Sequence, residues 1–313
     1  MIPHQQIAVC TAKFELPPGS AGNLPPHPDV AYGLPYYPDP APPNTPRPNR
    51  GPGNACTTNP VNIATGSKFF INTDYTHESS ALLNITRTYD SADGRWIFNI
   101  AADLFIENST VYVRTEFGAT VEFVQGSQDW ISMNSRQYSL SQFEDHWEFR
   151  EDNFLKHFDL DGRLLRIENE IGEYIDIEYD PTGNSIAEVT SPSGSLTIYF
   201  EDYFSKFTKI ILPNDKKILY EYDQLGRLAS VNNIGHITTY LYEDPNNPSA
   251  ITNIIDPRNR TYKTISYYED GTVWKSALSV ETIQEEFTYP STSESDVTNA
   301  FNRTSSYQFI EVK

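Results

Sequence analysis

The chain has 313 residues, of which 38% are hydrophobic, and its aromatic content comes mainly from 20 tyrosines and 17 phenylalanines. Aromatic side chains suit a pleated, half-buried surface better than a helix, so the composition favours an all-β fold. The 42 acidic and 23 basic residues give a formal net charge of -19, and this negative field repels phosphate backbones and anionic lipids. The composition therefore argues against nucleic acid as a partner, and we interpret the acidic residues as a solvated surface that keeps the protein soluble.

Residues 1–55 form a proline-rich leader that holds 14 of the 22 prolines. Because proline lacks an amide donor and fixes φ, this stretch cannot join the interior of a sheet and is expected to be extended or polyproline-like. It is either a flexible linker or a defined plug that docks on another surface. Cys10 and Cys56 would close one long loop if they paired, and the sequence leaves this open.

The first residues lack a basic region followed by an apolar one, and no stretch approaches the roughly 18 apolar residues of a membrane-spanning helix. We therefore expect neither a signal peptide nor a membrane span in this chain. Export would need another route or an upstream sequence.

Residues 56–150 consist of short runs in which apolar and polar residues alternate, for example at 111–117 and 120–124. Gly118 and Gly126 separate these runs. Alternation with a period of two, interrupted by glycine, is typical of strands joined by turns. This part of the chain is predicted to be an amino-terminal β region.

Residues 151–313 contain a repeat. An aromatic residue followed by an acidic one recurs at 158, 179 and 222, and a degenerate copy at 200 divides the longer interval. Weaker copies follow at 242 and 268. The resulting period of about 21 residues fits two strands and two turns. The residues assigned to the motif are Phe158, Asp159, Gly162, Arg163, Tyr179, Asp180, Gly183, Tyr222, Asp223, Gly226, Arg227 and Tyr242.

Each repeat is predicted to be a β-hairpin. In the unit around Tyr222, residues 217–222 alternate as one strand, an Asp-x-x-Gly sequence turns the chain, and residues 228–231 return as the partner strand. Asp223 can accept amide hydrogen bonds within the turn, and Gly226 tolerates a positive φ. One hairpin cannot bury its aromatic residue alone, so neighbouring hairpins are expected to share a core.

Two further motifs precede the repeats. Residues 59–68 resemble the N-P-V-N-x-A-T-G-x-K signature that opens the region before the repeats in bacterial RHS proteins, and residues 87–91 resemble its R-x-Y-x-S segment. Gly94, Arg95 and Trp96 lie where that family shows G-x-G-W, with Arg95 in place of a glycine. The signature residues are Asn59, Pro60, Val61, Asn62, Ala64, Thr65, Gly66, Arg87, Tyr89, Ser91 and Trp96.

From about residue 59 onward the chain thus resembles the RHS/YD-repeat family. The resemblance implies antiparallel hairpins that form a curved sheet, part of a hollow cocoon that in bacterial members encloses a carboxy-terminal toxin. It therefore implies a structural shell segment that, with downstream repeats, encapsulates and protects a toxin for delivery in bacterial competition or virulence. An extracellular repeat module that binds glycans or a partner protein is the alternative.

Only about six or seven repeat units are present, fewer than a closed cocoon of this kind requires, so we expect an amino-terminal fragment or a short shell segment. The implied partners are the remainder of the shell and an enclosed toxin domain, in cis or in trans, together with a secretion-system component or a chaperone. The implied location is outside the bacterial cell that makes the protein, by secretion or delivery.

No catalytic, cofactor or metal site is predicted. The Asp-Pro-Thr-Gly sequence at 180–183 resembles one half of the paired D-P-x-G motif of self-cleaving family members, but it stands alone and in repeat register, so it is interpreted as a turn. The sequence at 256–259 lacks the glycine and is interpreted as another turn. Neither a phosphate-binding loop nor a nucleophile elbow occurs. We therefore expect a protein that is not an enzyme and has no cofactor.

The histidines fall in none of the usual metal-binding spacings, and neither cysteine has a C-x-x-C partner. The acidic turn at 159–162 lacks the closing glutamate of a calcium loop. The repeat aromatics could in principle stack on sugar rings, but their regular spacing favours stacking between repeats in a core.

Overall fold

The computed structural model describes residues 60–107, 109–115, 120–127, 129–133, 138–151, 153–181, 186–201, 206–279 and 284–308. The proline-rich leader, with Cys10 and Cys56, lies outside the described residues, and so do Asn59 and Gly183. Within these ranges the chain forms antiparallel strands and a 3-10 turn at Ala81–Leu83, with no α-helix. The predicted all-β class is confirmed.

The strands are short and follow one another closely along the chain. They are β1 Phe69–Tyr75, β2 Ile85–Asp90, β3 Arg95–Phe98, β4 Asp103–Glu107, β5 Thr110–Arg114, β6 Thr120–Gln125, β7 Trp130–Ser132, β8 Ser139–Gln142, β9 His146–Glu151, β10 Phe154–Asp159, β11 Leu164–Asn169, β12 Tyr174–Tyr179, β13 Ile186–Ser191, β14 Gly194–Glu201, β15 Lys206–Ile211, β16 Lys217–Tyr222, β17 Leu228–Asn233, β18 His236–Leu241, β19 Asn253–Ile255, β20 Thr261–Tyr267, β21 Val273–Leu278, β22 Gln284–Ser291, β23 Glu294–Asn299 and β24 Thr304–Gln308.

These strands divide into two sheets. β1, β2 and β3 form a small antiparallel sheet, which we call the inner sheet. β4 to β24 form one long strip in which each strand pairs antiparallel with the next along the sequence. Tandem hairpins produce this kind of meander. The predicted curved sheet of hairpin repeats is confirmed.

Alternation along each strand places one row of side chains in the core. β12 buries Ile175 and Ile177, and β16 buries Ile218 and Tyr220, while the residues between them face the other side of the strip. Removal of this apolar row from water is the main term that stabilises such a sheet.

The strip curves so that its first strand meets a later hairpin. The backbone N–H of Leu104 in β4 donates to the carbonyl of Gly162 at 3.0 Å, and Asp103 forms an isolated bridge with Arg163. The turn between β10 and β11 therefore packs against β4.

The predicted boundary at residues 150 and 151 does not separate two sheets. β9 pairs with β10 over six residue pairs, so the strip runs without a break through that position. The boundary between the two sheets lies instead between β3 and β4. The reason is physical: the strands before residue 150 have the same alternation as the repeats and extend the same ladder.

The inner sheet packs against the buried face of the strip. Phe98 in β3 makes edge-on contacts with Phe207 and Tyr220, with ring centroids 4.2 and 5.2 Å apart. Buried side chains from both sheets belong to one hydrophobic cluster. In the part of the chain that the structure describes, no helix is long and apolar enough to cross a membrane.

Candidate functional site

The repeat turn at 159–163 is a hydrogen-bonded loop. One oxygen of Asp159 accepts the backbone N–H of Arg163 at 2.8 Å, and the other accepts Arg163 Nε at 2.6 Å. Gly162 donates its N–H to the carbonyl of Asp159 at 3.0 Å and has a φ of 88°. The aspartate and the glycine therefore have the turn roles that the sequence predicts.

The turn after Tyr222 repeats this arrangement. Asp223 accepts the N–H groups of Leu225 and Arg227 at 2.9 Å, and Arg227 Nε lies 2.6 Å from its second oxygen. Gly226 donates to the carbonyl of Asp223 at 2.9 Å with a φ of 76°.

Other turns keep the arrangement with different residues. Asp256 accepts the N–H of Arg260 at 3.0 Å, and Asn259 takes the place of the glycine with a φ of 59°. This confirms the interpretation of 256–259 as a repeat turn. Asn169 and Asn299 replace the aspartate and still accept two backbone N–H groups each. The first position of the turn thus needs an acceptor oxygen rather than a charge.

In three repeats the motif tyrosine ties its strand to the strand before it. Each hydroxyl donates to a backbone carbonyl at or near the start of that preceding strand. The pairs are Tyr179 with Leu164 at 3.2 Å, Tyr222 with Phe207 at 3.0 Å, and Tyr242 with Leu228 at 2.9 Å. The tyrosine of the motif therefore fixes the spacing between successive strands.

The arginine of a turn also contacts the tyrosine of the next unit. Arg163 lies over the ring of Tyr179 at 5.7 Å, and Arg227 lies over the ring of Tyr242 at 4.5 Å. Burial raises the pKa of both tyrosines well above the ordinary value, so their hydroxyls stay protonated and act as donors.

The repeat aromatics are part of the core. Phe158 is fully buried, and Tyr179, Tyr222 and Tyr242 pack against the hydrophobic cluster. Their predicted place in the core is therefore observed, and these four side chains form no exposed row on which sugar rings could stack.

The acidic groups that resemble a calcium loop or a protease motif either have protein partners or lie in turns that the structure does not fully describe. Asp159 and Asp161 lie 2.6 and 3.8 Å from nitrogens of Arg163, so a calcium ion would have to compete with that guanidinium. Most of the turn that begins at Asp180 falls outside the described residues, and its interpretation as a turn stays a prediction.

The opening signature folds into a tight turn. Asn62 Oδ1 accepts the backbone N–H groups of Ala64 at 3.0 Å and Thr65 at 3.2 Å. Gly66 donates to the carbonyl of Asn62 at 2.8 Å with a φ of 68°, and Val61 is completely buried.

This turn binds the strip. The carbonyl of Gly66 accepts the N–H of Val273 at 2.8 Å, and a Cβ on Gly66 would lie 2.8 Å from the Cβ of Thr272. The carbonyl of Ile63 accepts Ser295 Oγ at 2.7 Å, while that of Pro60 accepts the N–H of Phe69 at 3.1 Å and so leads into β1.

A buried ion pair joins β1 to β2 on the side of the inner sheet that faces the strip. Arg87 Nε is 2.7 Å from Asp74 Oδ2, and the two side chains are only 3% and 6% exposed. Arg87 Nη2 donates to Tyr240 Oη at 2.8 Å, and Tyr220 Oη donates to Asp74 at 2.9 Å. Trp96 packs against the guanidinium at 4.2 Å. Burial, and then the Asp74 carboxylate, raises the pKa of Tyr220 well above its ordinary value.

Tyr89 and Ser91 complete this surface. Tyr89 Oη donates to the carbonyl of Ser249 at 3.0 Å and accepts the N–H of Ile251 at 2.9 Å. Ser91 Oγ accepts the N–H of Lys68 at 2.8 Å, which extends the contact between β1 and β2 by one position. The described signature residues therefore form a docking surface between two parts of the chain.

The replacement of a glycine by Arg95 leaves the turn intact. Gly94 has the positive φ of 65°, and a Cβ there would lie 2.4 Å from the Cβ of Ser249. Arg95 begins β3. The close approach to Ser249 requires a glycine at position 94, and the sequence has one there.

Sequence reasoning missed the strip's half of this docking surface. Tyr220 and Tyr240 each lie two residues before a motif tyrosine, on strand positions that alternation assigns to the core. The alternation could have predicted that these two tyrosines are buried, but it does not indicate which distant residue each side chain contacts.

It also missed a group of potential metal ligands. His146, Glu148 and His157 each place one ligand atom within 4.8 Å of the other two. The expectation of no metal site used spacings within one segment, whereas these residues meet across the β9–β10 pair. That spacing argument was therefore incomplete.

Residues 58–123 match a protein family described as "Domain of unknown function (DUF6531)". The match covers the opening signature, the inner sheet and the first strands of the strip. No curated protein matches the chain.

Among solved structures, the chain is similar to the Photorhabdus luminescens Tc holotoxin pore with a mutant TccC3. The identity is 10% and the TM-score 0.34, and the match covers 78% of this chain and 14% of the other. TcdB2-TccC3 without its hypervariable C-terminal region gives 10%, 0.33, 78% and 15% for the same measures, and TcdB2-TccC3 gives 10%, 0.32, 80% and 15%. The chain thus spans a small fraction of these proteins, and at such TM-scores the similarity supports no argument about activity or partners.

Proposed function

We propose that the chain is a shell segment of an RHS-type, toxin-like protein. In this proposal the strip, together with further repeats of the same kind, encapsulates and protects a passenger polypeptide until delivery. The role is structural, and the chain performs no catalysis of its own.

One observation carries the proposal: β4 to β24 form a continuous strip of hairpins that curves until β4 meets the β10–β11 turn. Each repeat adds two strands, and in three repeats a tyrosine also binds the preceding strand. The same hairpin can therefore be repeated to extend the sheet. A curved sheet with one face turned inward is suited to surround another segment.

The inner sheet supports the same proposal from within the chain. It is a separate segment that the inward face holds by apolar packing and by tyrosine hydroxyls, two of which bind the buried ion pair of the inner sheet. This face therefore has the chemistry needed to hold polypeptide, and we propose that a passenger domain, in cis or in trans, occupies the space next to the inner sheet.

The roles of the described motif residues support a structural function. The turn carboxylates of Asp159, Asp223 and Asp256 each bind an arginine side chain and a backbone N–H group of the same turn. Their oxygens therefore stabilise the turn. We further propose that the protein is secreted or delivered from a bacterial cell, in the company of a secretion-system component or a chaperone.

Limited proteolysis tests the proposal on the complete native product of the coding sequence that contains this chain. Mass spectrometry maps the fragments with time. If a passenger is enclosed, its peptides resist digestion in the native protein. When the strip is first unfolded in urea and the protease is then added, the same peptides are cut quickly.

The matched variants are Gly162→Val, which opens the contact with β4, and Gly172→Val, which has open space around it. We expect faster digestion of the passenger only in Gly162→Val. Equally fast digestion of the passenger in native and unfolded protein would refute encapsulation, as would a product with no polypeptide outside the strip.

A further inference from the structure

The structure brings two histidines and a glutamate together on the outer face of β9 and β10. His157 pairs directly with Glu148 in the ladder, and His146 lies one position further along the same face. The neighbouring residues Trp147 and Phe149 point into the core. Antiparallel pairing therefore places the three side chains on one surface.

The distances between the ligand atoms suit a transition-metal ion. His146 Nε2 lies 3.5 Å from Glu148 Oε1, and His157 Nδ1 lies 3.7 Å from the same oxygen. In a tetrahedral zinc site with bonds of about 2.0–2.2 Å, neighbouring ligand atoms are about 3.4 Å apart. Small side-chain rotations would bring the trio to that spacing.

A fourth residue orients one of the ligands. Asp145 Oδ1 lies 2.7 Å from His146 Nδ1, and the ring of Phe143 stacks on this imidazole at 4.6 Å. The carboxylate requires the proton of the neutral ring to stay on Nδ1, which leaves the lone pair of Nε2 facing the cluster. Carboxylate-bound histidines of this kind are the usual ligands of zinc.

The second histidine is also suited to bind a cation. His157 presents Nδ1 to the cluster, 3.7 Å from Glu148 Oε1. Its Nε2 is buried and has no hydrogen-bond partner among the described groups, so Nδ1 is the nitrogen that faces Glu148. The nearby Arg166 is held by Asp176 at 2.7 and 3.0 Å, which offsets its charge.

We propose that His146, Glu148 and His157 bind one Zn²⁺ ion, with a fourth position open to water and Asp145 as the positioning residue. The three ligand side chains are 20–28% exposed, so the ion has access from solvent. The ion would join β9 to β10 close to the turn that packs against β4. This inference is independent of the proposed encapsulation.

Cobalt substitution tests the site with a spectroscopic readout. The full chain is made without a histidine tag and with Cys10→Ser and Cys56→Ser, so that thiolates cannot compete. At slightly alkaline pH, one equivalent of Co²⁺ should bind and show the visible absorption of a tetrahedral cobalt site. Added Zn²⁺ should displace the cobalt and remove this absorption.

The variants assign the ligands. His157→Ala and the isosteric Glu148→Gln should abolish the cobalt absorption, and Asp145→Asn should weaken binding by about 10- to 100-fold. His236→Ala removes an exposed histidine from another part of the strip and should change nothing. Far-UV circular dichroism identifies any variant that fails to fold. The cobalt absorption is then compared among the variants that fold. No cobalt absorption in the parent protein, or absorption that persists in the folded variants of His157 and Glu148, would overturn the proposal.

Discussion

At the scale of single residues, the repeat motif combines two devices. The first position of the turn supplies an acceptor for two backbone N–H groups, and asparagine serves there as well as aspartate. The tyrosine at the strand end supplies a donor to the preceding strand. The sequence predicted the turn and the burial of the ring. It did not reveal the acceptor of the hydroxyl, because that carbonyl belongs to a strand about 15 residues away whose register is not set by the motif alone.

Tyr222→Phe tests the role of the hydroxyl. The change keeps the ring but removes the hydrogen bond of 3.0 Å to the carbonyl of Phe207. We expect the free energy of unfolding to fall by about 0.5–1.5 kcal/mol in urea titrations. Tyr262→Phe is the control. That side chain is 44% exposed, so the loss of its hydroxyl should leave the unfolding midpoint unchanged. Equal effects in the two variants would contradict the role of Tyr222.

Asp74→Asn tests the buried ion pair. The variant keeps the shape of the side chain but leaves the charge of Arg87 without its counter-ion at a site that is almost completely buried. Removing one partner of a buried pair costs about 3–5 kcal/mol, and the same titrations measure it.

Asp256→Asn is the matched comparison, because it changes the same atoms in an exposed turn where asparagine serves in other repeats. We expect a far smaller shift of its unfolding midpoint. A loss for Asp74→Asn no larger than that for Asp256→Asn would show that the buried pair, which joins β1 to β2, does not stabilise the inner sheet.

At the scale of elements, period-two alternation and Asp-x-x-Gly turns were sufficient to predict strands and hairpins, and the family resemblance implied that the hairpins form a curved sheet. They were not sufficient to separate the inner sheet from the strip, since β1 to β3 show the same alternation as the strands that follow. The contacts that place the inner sheet join residues far apart in sequence, such as Arg87 with Tyr240 and Lys68 with Ser276. Local patterns contain no information about such pairs.

Gly162→Ala tests the contact that curves the strip. Gly162 and Gly172 both have a positive φ, 88° and 79°, so alanine introduces backbone strain of about 1–3 kcal/mol at either position. A Cβ on Gly162 would lie 1.7 Å from the carbonyl oxygen of Leu104, whereas one on Gly172 would meet nothing within 4 Å. Hydrogen exchange should therefore accelerate at the amide of Leu104 in Gly162→Ala and stay at the parent rate in Gly172→Ala. The same exchange rate in both variants would mean that the close approach to β4 does not exist in solution.

At the scale of the whole molecule, a strip of repeated hairpins turns one face inward and holds the inner sheet against it. The opening signature and the R-x-Y-x-S segment, which the sequence could only compare with a family, form the surface that docks this sheet. Gly66 and Gly94 allow this surface to approach the strip closely, and Arg87 and Tyr89 supply polar contacts. The described motif residues act in turns and in contacts between the two sheets.

Cryo-electron microscopy of the complete native product that contains this chain is the most direct test of the shell proposal. The account predicts that the strip continues in the same curved path and that density for a further polypeptide lies on its inward side, next to the inner sheet. A map in which the inward face beyond the inner sheet is open to solvent, with no polypeptide enclosed, would contradict it.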